Sequence, residues 1–414
     1  MKNLVTNVVV VAGAAMLFSA VPSHAQTTLT REEILGGLNT ITTAVPFLLI
    51  TPDSRAGGMG ECGVSTTPDV NSLHWNAAKL GFAKQKFGLG VSYTPWLRAL
   101  VPDINLAYVS FYVKPDKNSA FGTSLRYFSM GSITFTDVVG NTIGQFRPNE
   151  FALDAAYSRK LSDRFSAAMS ARFILSNLTN GITVQGQDTK AGKAVAVDLS
   201  AYYHNDDLKM ADKPMTLMFG LAITNIGNKI SYSTSVNKDF IPINMRLGGG
   251  FSVQADEYNR IGFNVEFNKL LVPSPPIYAK DANGNYIPDG NGGYVIQYGK
   301  DPNRSVPEGM FGSFNDAPGG FTEELREINL SAGTEYWYNE TFAVRAGYFY
   351  EHPLKGNRQF ITLGAGIKYN VFGLDFAYLI PTNAQRSPLQ NTLRFTLTFD
   401  FDALKKSNDD GDAK

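Results

Sequence analysis

The sequence predicts an all-β fold: a 14-stranded antiparallel transmembrane outer-membrane β-barrel with an N-terminal plug segment. Three observations carry this reading. Apolar and polar residues alternate with a period of two along many segments. No stretch beyond the N-terminal leader is apolar for the 18 or more residues that a membrane helix needs. The connections alternate between short turns and long loops, the pattern of barrels with one periplasmic and one external rim.

The first element is a leader. Residues 1–26 read MKNLVTNVVVVAGAAMLFSAVPSHAQ, with Lys2 as charged region, an apolar run from Val8 to Ala20, and Ser23-His24-Ala25 before Gln26. That is a secretory signal with an A-x-A-like site, expected to be cleaved after Ala25. Residues 26–85 follow as the plug or hatch and do not alternate. Thr30 and Glu33 form a capping-box pattern for a short helix stopped by Gly36 and Gly37. Gly57, Gly58, Gly60 and Gly63 suit an irregular path through positive φ. Arg55, Asp69 and Asn76 are the candidate plug and lumen residues, with Arg55 and Asp69 as partners. Cys62 follows Glu61 far beyond the leader, so it reads as a packed residue rather than a lipid anchor.

The barrel is expected over 86–401, with strands near 86–94, 103–113, 119–129, 150–159, 164–176, 193–204, 215–225, 240–253, 259–268, 327–337, 341–350, 358–368, 371–380 and 390–401. The last shows the pattern best: Leu393, Phe395, Leu397, Phe399 and Phe401 alternate with Arg394, Thr396, Thr398 and Asp400. A soluble sandwich also alternates. It gives no reason, however, for KPDKN, KLSDR, QADEY, YNET and YN to link one set of strand ends while longer loops link the other. Only the link at 204–214 reads as longer on the short side. The polar parity carries Arg126, Arg172, Arg246, Arg345, Lys368 and Arg394 against Asp154, Asp198, Glu266, Glu335 and Asp375. Such a mixed set suits pairing across a filled interior better than an ion-selective pore. A fourteen-strand bore is too wide for strand side chains alone to fill, hence the plug.

Residues 269–326 form the longest connection, far above the usual ~4 to 6. Tyr278, Tyr286, Tyr294, Phe311 and Phe314 on it are the candidate partner-binding residues, being aromatics of the kind enriched at interfaces. Self-packing over the barrel mouth is the alternative. Within it, Asp281, Asn283, Asn285, Asp289 and Asn291 space oxygen atoms as calcium loops do. Tyr286 stands at the glycine position and no Glu closes the motif, so a hairpin turn is favoured. Residues 402–414 read as a disordered periplasmic tail.

Composition excludes several classes. The 37 Lys plus Arg balance 37 Asp plus Glu, leaving no basic surplus for nucleic acid. One Cys and four His build neither a disulfide framework nor a zinc site. No nucleophile elbow, zincin motif or phosphate loop occurs, and His74, His204 and His352 stand far apart. The expectation is a non-enzyme without cofactor or metal.

Residues 47–81 resemble the N-terminal motif of the PorV family of the type IX secretion system, a branch of the FadL-like barrels: an apolar stretch, Ser54-Arg55-Ala56-Gly57-Gly58-Met59-Gly60, then Asp69 and the box Asn76-Ala77-Ala78. Ala77 departs from the usual proline of that box. The resemblance implies an outer-membrane protein that binds cargo C-terminal signal domains, associates with the SprA/Sov translocon, and delivers cargo to the PorU sortase complex. Outer-membrane lipid and lipopolysaccharide are implied surroundings. The alternative is a FadL-like transporter of hydrophobic small molecules; lipopolysaccharide deacylation, also linked with the family, ranks last for want of a nucleophile and base.

Overall fold

The structure, a computed structural model, describes residues 38–98, 101–136, 139–181, 188–233, 238–383 and 387–400. The leader, the Thr30–Glu33 helix, Phe401 and the tail lie outside the described residues. The described residues from 39 to 400 fall in one compact unit.

The barrel strands are β1 (Phe87–Pro95), β2 (Ile104–Val113), β3 (Ser119–Met130), β6 (Asn149–Ser162), β7 (Phe165–Asn177), β8 (Gly192–Met210), β9 (Lys213–Gly227), β10 (Asn244–Gln254), β11 (Asn259–Leu270), β14 (Asn329–Tyr338), β15 (Phe342–Tyr350), β16 (Gln359–Tyr369), β17 (Phe372–Pro381) and β18 (Leu393–Phe399). Two small hairpins stand in the loops, β4 (Ile133–Thr136) with β5 (Thr142–Phe146), and β12 (Ile277–Tyr278) with β13 (Ile296–Tyr298). Each barrel strand pairs antiparallel with its neighbours, and β1 closes on β18 through Leu89↔Phe399 to Tyr93↔Phe395. Closure leaves no edge with unpaired backbone in lipid.

Alternation sorts the faces. Val91, Tyr93, Val109, Phe111, Phe395 and Leu397 are exposed on the outer face, where lipid covers them. Their neighbours Ser92, Ser110, Arg394 and Thr396 are buried inside. The short rim uses tight turns: Asn339 and Glu340 both have positive φ, as do Ala211 and Asp212, the geometry of two-residue hairpins. The long rim carries every extended loop.

Two boundaries differ from expectation. The link at 204–214 is no loop: β8 and β9 continue past the others and meet in the Ala211–Asp212 turn. Water on both sides of that projecting hairpin removes the alternation that marks a strand. At β10 the strand begins at Asn244, not 240, because Phe240, Ile241 and Ile243 are buried in an apolar cluster instead. Lys368 has the lumen parity but lies exposed near the Asn370 turn, with its ammonium 4.6 Å from the Trp337 ring.

Candidate functional site: the inner segment and the outer loops

Residues 44–83 run along the inner face of the barrel through four short helices, Pro46–Leu49, Ser54–Gly57, Ser72–Trp75 and Ala77–Phe82. Helices this short are not stable alone. Side chains hold them. Asp53 caps Ser54–Gly57 by accepting from Ala56 N–H at 2.9 Å, and its second oxygen accepts from Trp75 Nε1 at 2.7 Å.

Arg55 joins the segment to the inner wall through a chain of ion pairs. Nη1 donates to Asp69 at 2.8 Å, while Nε and Nη2 donate to the two oxygens of Glu335 at 2.9 and 2.8 Å. Glu335 also accepts from Arg345 Nε at 2.7 Å, and Arg345 reaches Asp375 at 2.6 Å. The order Asp69–Arg55–Glu335–Arg345–Asp375 thus ties the segment to β14, β15 and β17. Elsewhere Glu266 on β11 accepts from Gly63 and Val64 N–H at 2.8 and 2.9 Å, and Arg394 on β18 donates to Glu61 at 2.8 Å. Asn76 bridges Val64 O at 3.0 Å and the β8 carbonyl of Ala201 at 2.9 Å, and caps Ala78 N–H. Arg55, Asp69 and Asn76 therefore all lie within one hydrogen-bonded segment, though Asn76 touches β8 and Arg55 touches β14, four strands further around the barrel.

The glycine expectation needs correction. Only Gly60 of the four has positive φ, at 66°; Glu61 beside it takes 65°. Gly63 is needed for closeness: an added Cβ would stand 2.0 Å from Trp75 Cδ2. Cys62 is buried, as a packed residue should be.

Toward the long rim the polar network gives way to an apolar cluster. Phe47 and Leu48 meet Leu106, Phe128 and Ile174 of the strands and Ile230, Ile241, Ile243, Leu271 and Val272 of the loops. Phe47 and Phe128 stack with ring centres 6.2 Å apart. Inner segment and outer loops hence share one core.

The longest loop is pinned by a buried ion cluster that sequence reasoning missed. Lys269 Nζ lies 3.0 Å from Glu324 and 2.7 Å from Glu327; Lys355, from the β15–β16 connection, lies 3.0 Å from Glu327 and 2.5 Å from Glu323. All but Glu323 are buried. Asn39 adds hydrogen bonds to Pro275 O and Glu323, both 3.0 Å. The available signal was Glu324 and Glu327 on one helix face, a spacing that also fits a solvated surface.

Above this clasp the aromatic residues split into two groups. Tyr278, Tyr286 and Tyr294 converge, with ring centres 5.3 to 6.1 Å apart. Phe311 and Phe314 belong to a separate limb, on and just after the helix Val306–Gly312, and are 79% and 48% exposed. Phe321 (76%) and Leu325 (52%), not among the candidates, extend that limb. Asp281 accepts from the N–H groups of Asn283 and Asn285 at 2.9 Å each, and Lys280 bridges Tyr286, so the 281–285 stretch is a hairpin turn.

Comparison with known proteins settles the family. The model of "Type IX secretion system protein PorV" matches residues 36–277, more than half the chain. The chain belongs to the PorV family. It is accordingly an outer-membrane barrel of the type IX secretion machinery. Among solved structures it is similar to a TodX deltaS2S3 mutant monoaromatic hydrocarbon channel, 14% identical, covering 84% of this chain and 98% of that one at TM-score 0.48. A FadL homologue of Pseudomonas aeruginosa is 11% identical, with 88% and 99% covered, at 0.43. The Ralstonia pickettii toluene transporter TbuX is 12% identical, with 84% and 97% covered, at 0.44. No curated protein matches.

Proposed function

We propose that this PorV-family barrel is the docking component of the machinery: its outer loops bind cargo C-terminal signal domains, it associates with the SprA/Sov translocon, and it passes cargo to the PorU sortase complex. Export by a cleaved leader and closure of the bore by the N-terminal plug belong to the same reading. The observation that carries it is the long loop. A buried clasp holds it in place, yet Phe311, Phe321 and Leu325 remain mostly uncovered. Apolar side chains fixed in that way gain stabilisation only when another surface covers them. The shared core of inner segment and loops favours a platform over a conduit. The role assigns no bond-making step to any residue.

The alternative, a FadL-like transporter of hydrophobic small molecules, draws on the same apolar cluster near the long rim. Exchange of 277–298 for a short Gly/Ser bridge, combined with F311S and F321S, separates the two. These changes spare the clasp, which excision as far as residue 318 would damage through Asp316 and Ala317. Docking predicts lost recovery of translocon and cargo with an intact barrel. Unchanged recovery together with lost uptake of a hydrophobic compound would favour transport.

A further inference from the structure

Two cavities meet at Asn228, on the long-rim side of the β6–β9 wall. The first, of about 510 Å³, is lined by Lys190 from one connection, Lys193 at the start of β8, and Lys229 and Lys238 from the next connection. The second, of about 620 Å³, opens on the lipid-facing side below it. Its walls are Leu153, Phe173 and Val195, and its floor the row Ala155, Ala171 and Val197. Strand register fixes both rows: Leu153 pairs with Phe173 and Phe173 with Val195, while Ala155 pairs with Ala171 and Ala171 with Val197. The next row inward, Tyr157, Met169 and Leu199, is bulky again, so the hollow is bounded on both sides.

The connections around it are anchored. Asn228 Oδ1 accepts from Val195 N–H at 2.8 Å, Lys190 N–H donates to Tyr232 O at 2.9 Å, and Ile230 and Asp239 exchange backbone hydrogen bonds. A bulge between β8 and β9 stands beside the hollow, where Asn225 adopts φ 63° and its N–H turns to the Asp198 carboxylate at 2.6 Å. None of the ion pairs among the described residues engages the four lysines; Asp239 and Asp301 act on Lys229 only at longer range.

We infer that this double cavity binds a phosphorylated, acylated lipid of the outer leaflet, with the phosphate among Lys190, Lys193 and Lys238 and an acyl chain in the hollow over Ala155 and Ala171. Ammonium groups on long stems at a membrane interface suit a phosphate, and a lipid-facing apolar hollow directly beneath suits the chain attached to it. Neither cavity alone selects such a ligand; their junction at Asn228 does. The inference does not depend on the cargo reading, because the site lies on the wall and not on the 271–328 loop.

Native mass spectrometry of the detergent-purified full chain, titrated with dioleoyl phosphatidic acid, dioleoylglycerol or inorganic phosphate, tests it. One phosphatidic acid should be retained roughly tenfold more tightly than either fragment of its chemistry. K190Q/K193Q/K238Q should reduce phosphatidic acid to the dioleoylglycerol level, and A171F should weaken both lipids. Lys229 is left in place because it stacks on Phe240 at 4.2 Å. Heat-modifiable migration reports folding, and A155L replaces A171F if that variant misfolds. Equal retention by the triple variant, by the filled hollow, or of the lipid lacking phosphate overturns the site.

Discussion

Arg55 and Glu335 face each other in a two-pronged ion pair, Nε to one carboxylate oxygen at 2.9 Å and Nη2 to the other at 2.8 Å, across 280 positions of sequence. Both side chains are shielded from water. Arg55→Ala would leave Asp69 without its cation and Glu335 with Arg345 alone. Removal of one partner from a buried pair costs about 3 to 5 kcal/mol, and the surviving Arg345 contact places this case near 3. The expected result is a lower midpoint for the heat-modifiable gel shift and faster proteolysis of the inner segment. An unchanged midpoint would mean the pair adds nothing net.

Backbone contact gives a second handle on that segment. At Gly347 an added Cβ would stand 2.1 Å from Gly60 N and from Met59 C, and the strand cannot move without breaking its ladder. Gly347→Val should therefore push residues 59–60 off the wall. In planar bilayers the native protein is expected to conduct poorly and the variant to conduct more. High conductance from native protein would reject a closed bore.

These two handles differ in how readable they were. The strands followed from alternation, since lipid and lumen impose opposite demands on neighbouring positions, and the rim assignment followed from short turns at one set of strand ends against long loops at the other. The partners of Arg55 did not: charge and spacing mark a residue as needing a counter-ion, while the choice of Glu335 depends on where the folded segment sets Arg55 against the wall. The Ala211–Asp212 hairpin was hidden because both its faces meet water, and the Lys269–Lys355 clasp because paired charges at loop ends look the same as solvated ones.

The clasp should be acid-labile. Burial opposes ionisation of Glu324, but the Ala317 N–H and Lys269 outweigh it and hold its carboxyl below the usual 4.5. Glu323 is likewise lowered against burial, by Lys355 and Asn39. A depressed folded value means stability fully present above the unfolded value and lost as pH falls through the folded one. Asp316, raised chiefly by burial, takes its proton earlier and works in the opposite direction. Loss should thus begin only below about pH 4.5. Hydrogen exchange over 271–328 should rise there while the strands stay protected; exchange that is flat down to pH 3 would exclude this role for the glutamates.

At the loop tip, Asp281 already spends one oxygen on two backbone N–H groups. Chelation or added calcium should leave tip proteolysis unchanged, whereas Asp281→Ala should accelerate it by removing the carboxylate that accepts from Asn283 and Asn285 N–H and holds the turn. Protection by calcium would restore the metal reading.

The two aromatic limbs give the sharpest test of docking. Tyr278, Tyr286 and Tyr294 pack against one another, though Tyr286 and Tyr294 stay 48% and 49% exposed, so truncation of one loosens the other two and acts on the tip as well as on a partner. Phe311 and Phe321 stand mostly uncovered, and their removal costs the free protein little. If partners seat on the second limb, Phe311→Ser with Phe321→Ser should weaken recovery of cargo or translocon by roughly a hundredfold, about 2.7 kcal/mol, as truncated hot spots do. Tyr294→Ser should then matter less for binding than for tip proteolysis. The reverse ranking, with full recovery by the phenylalanine pair and loss with Tyr294→Ser alone, would move the docking surface to the tip.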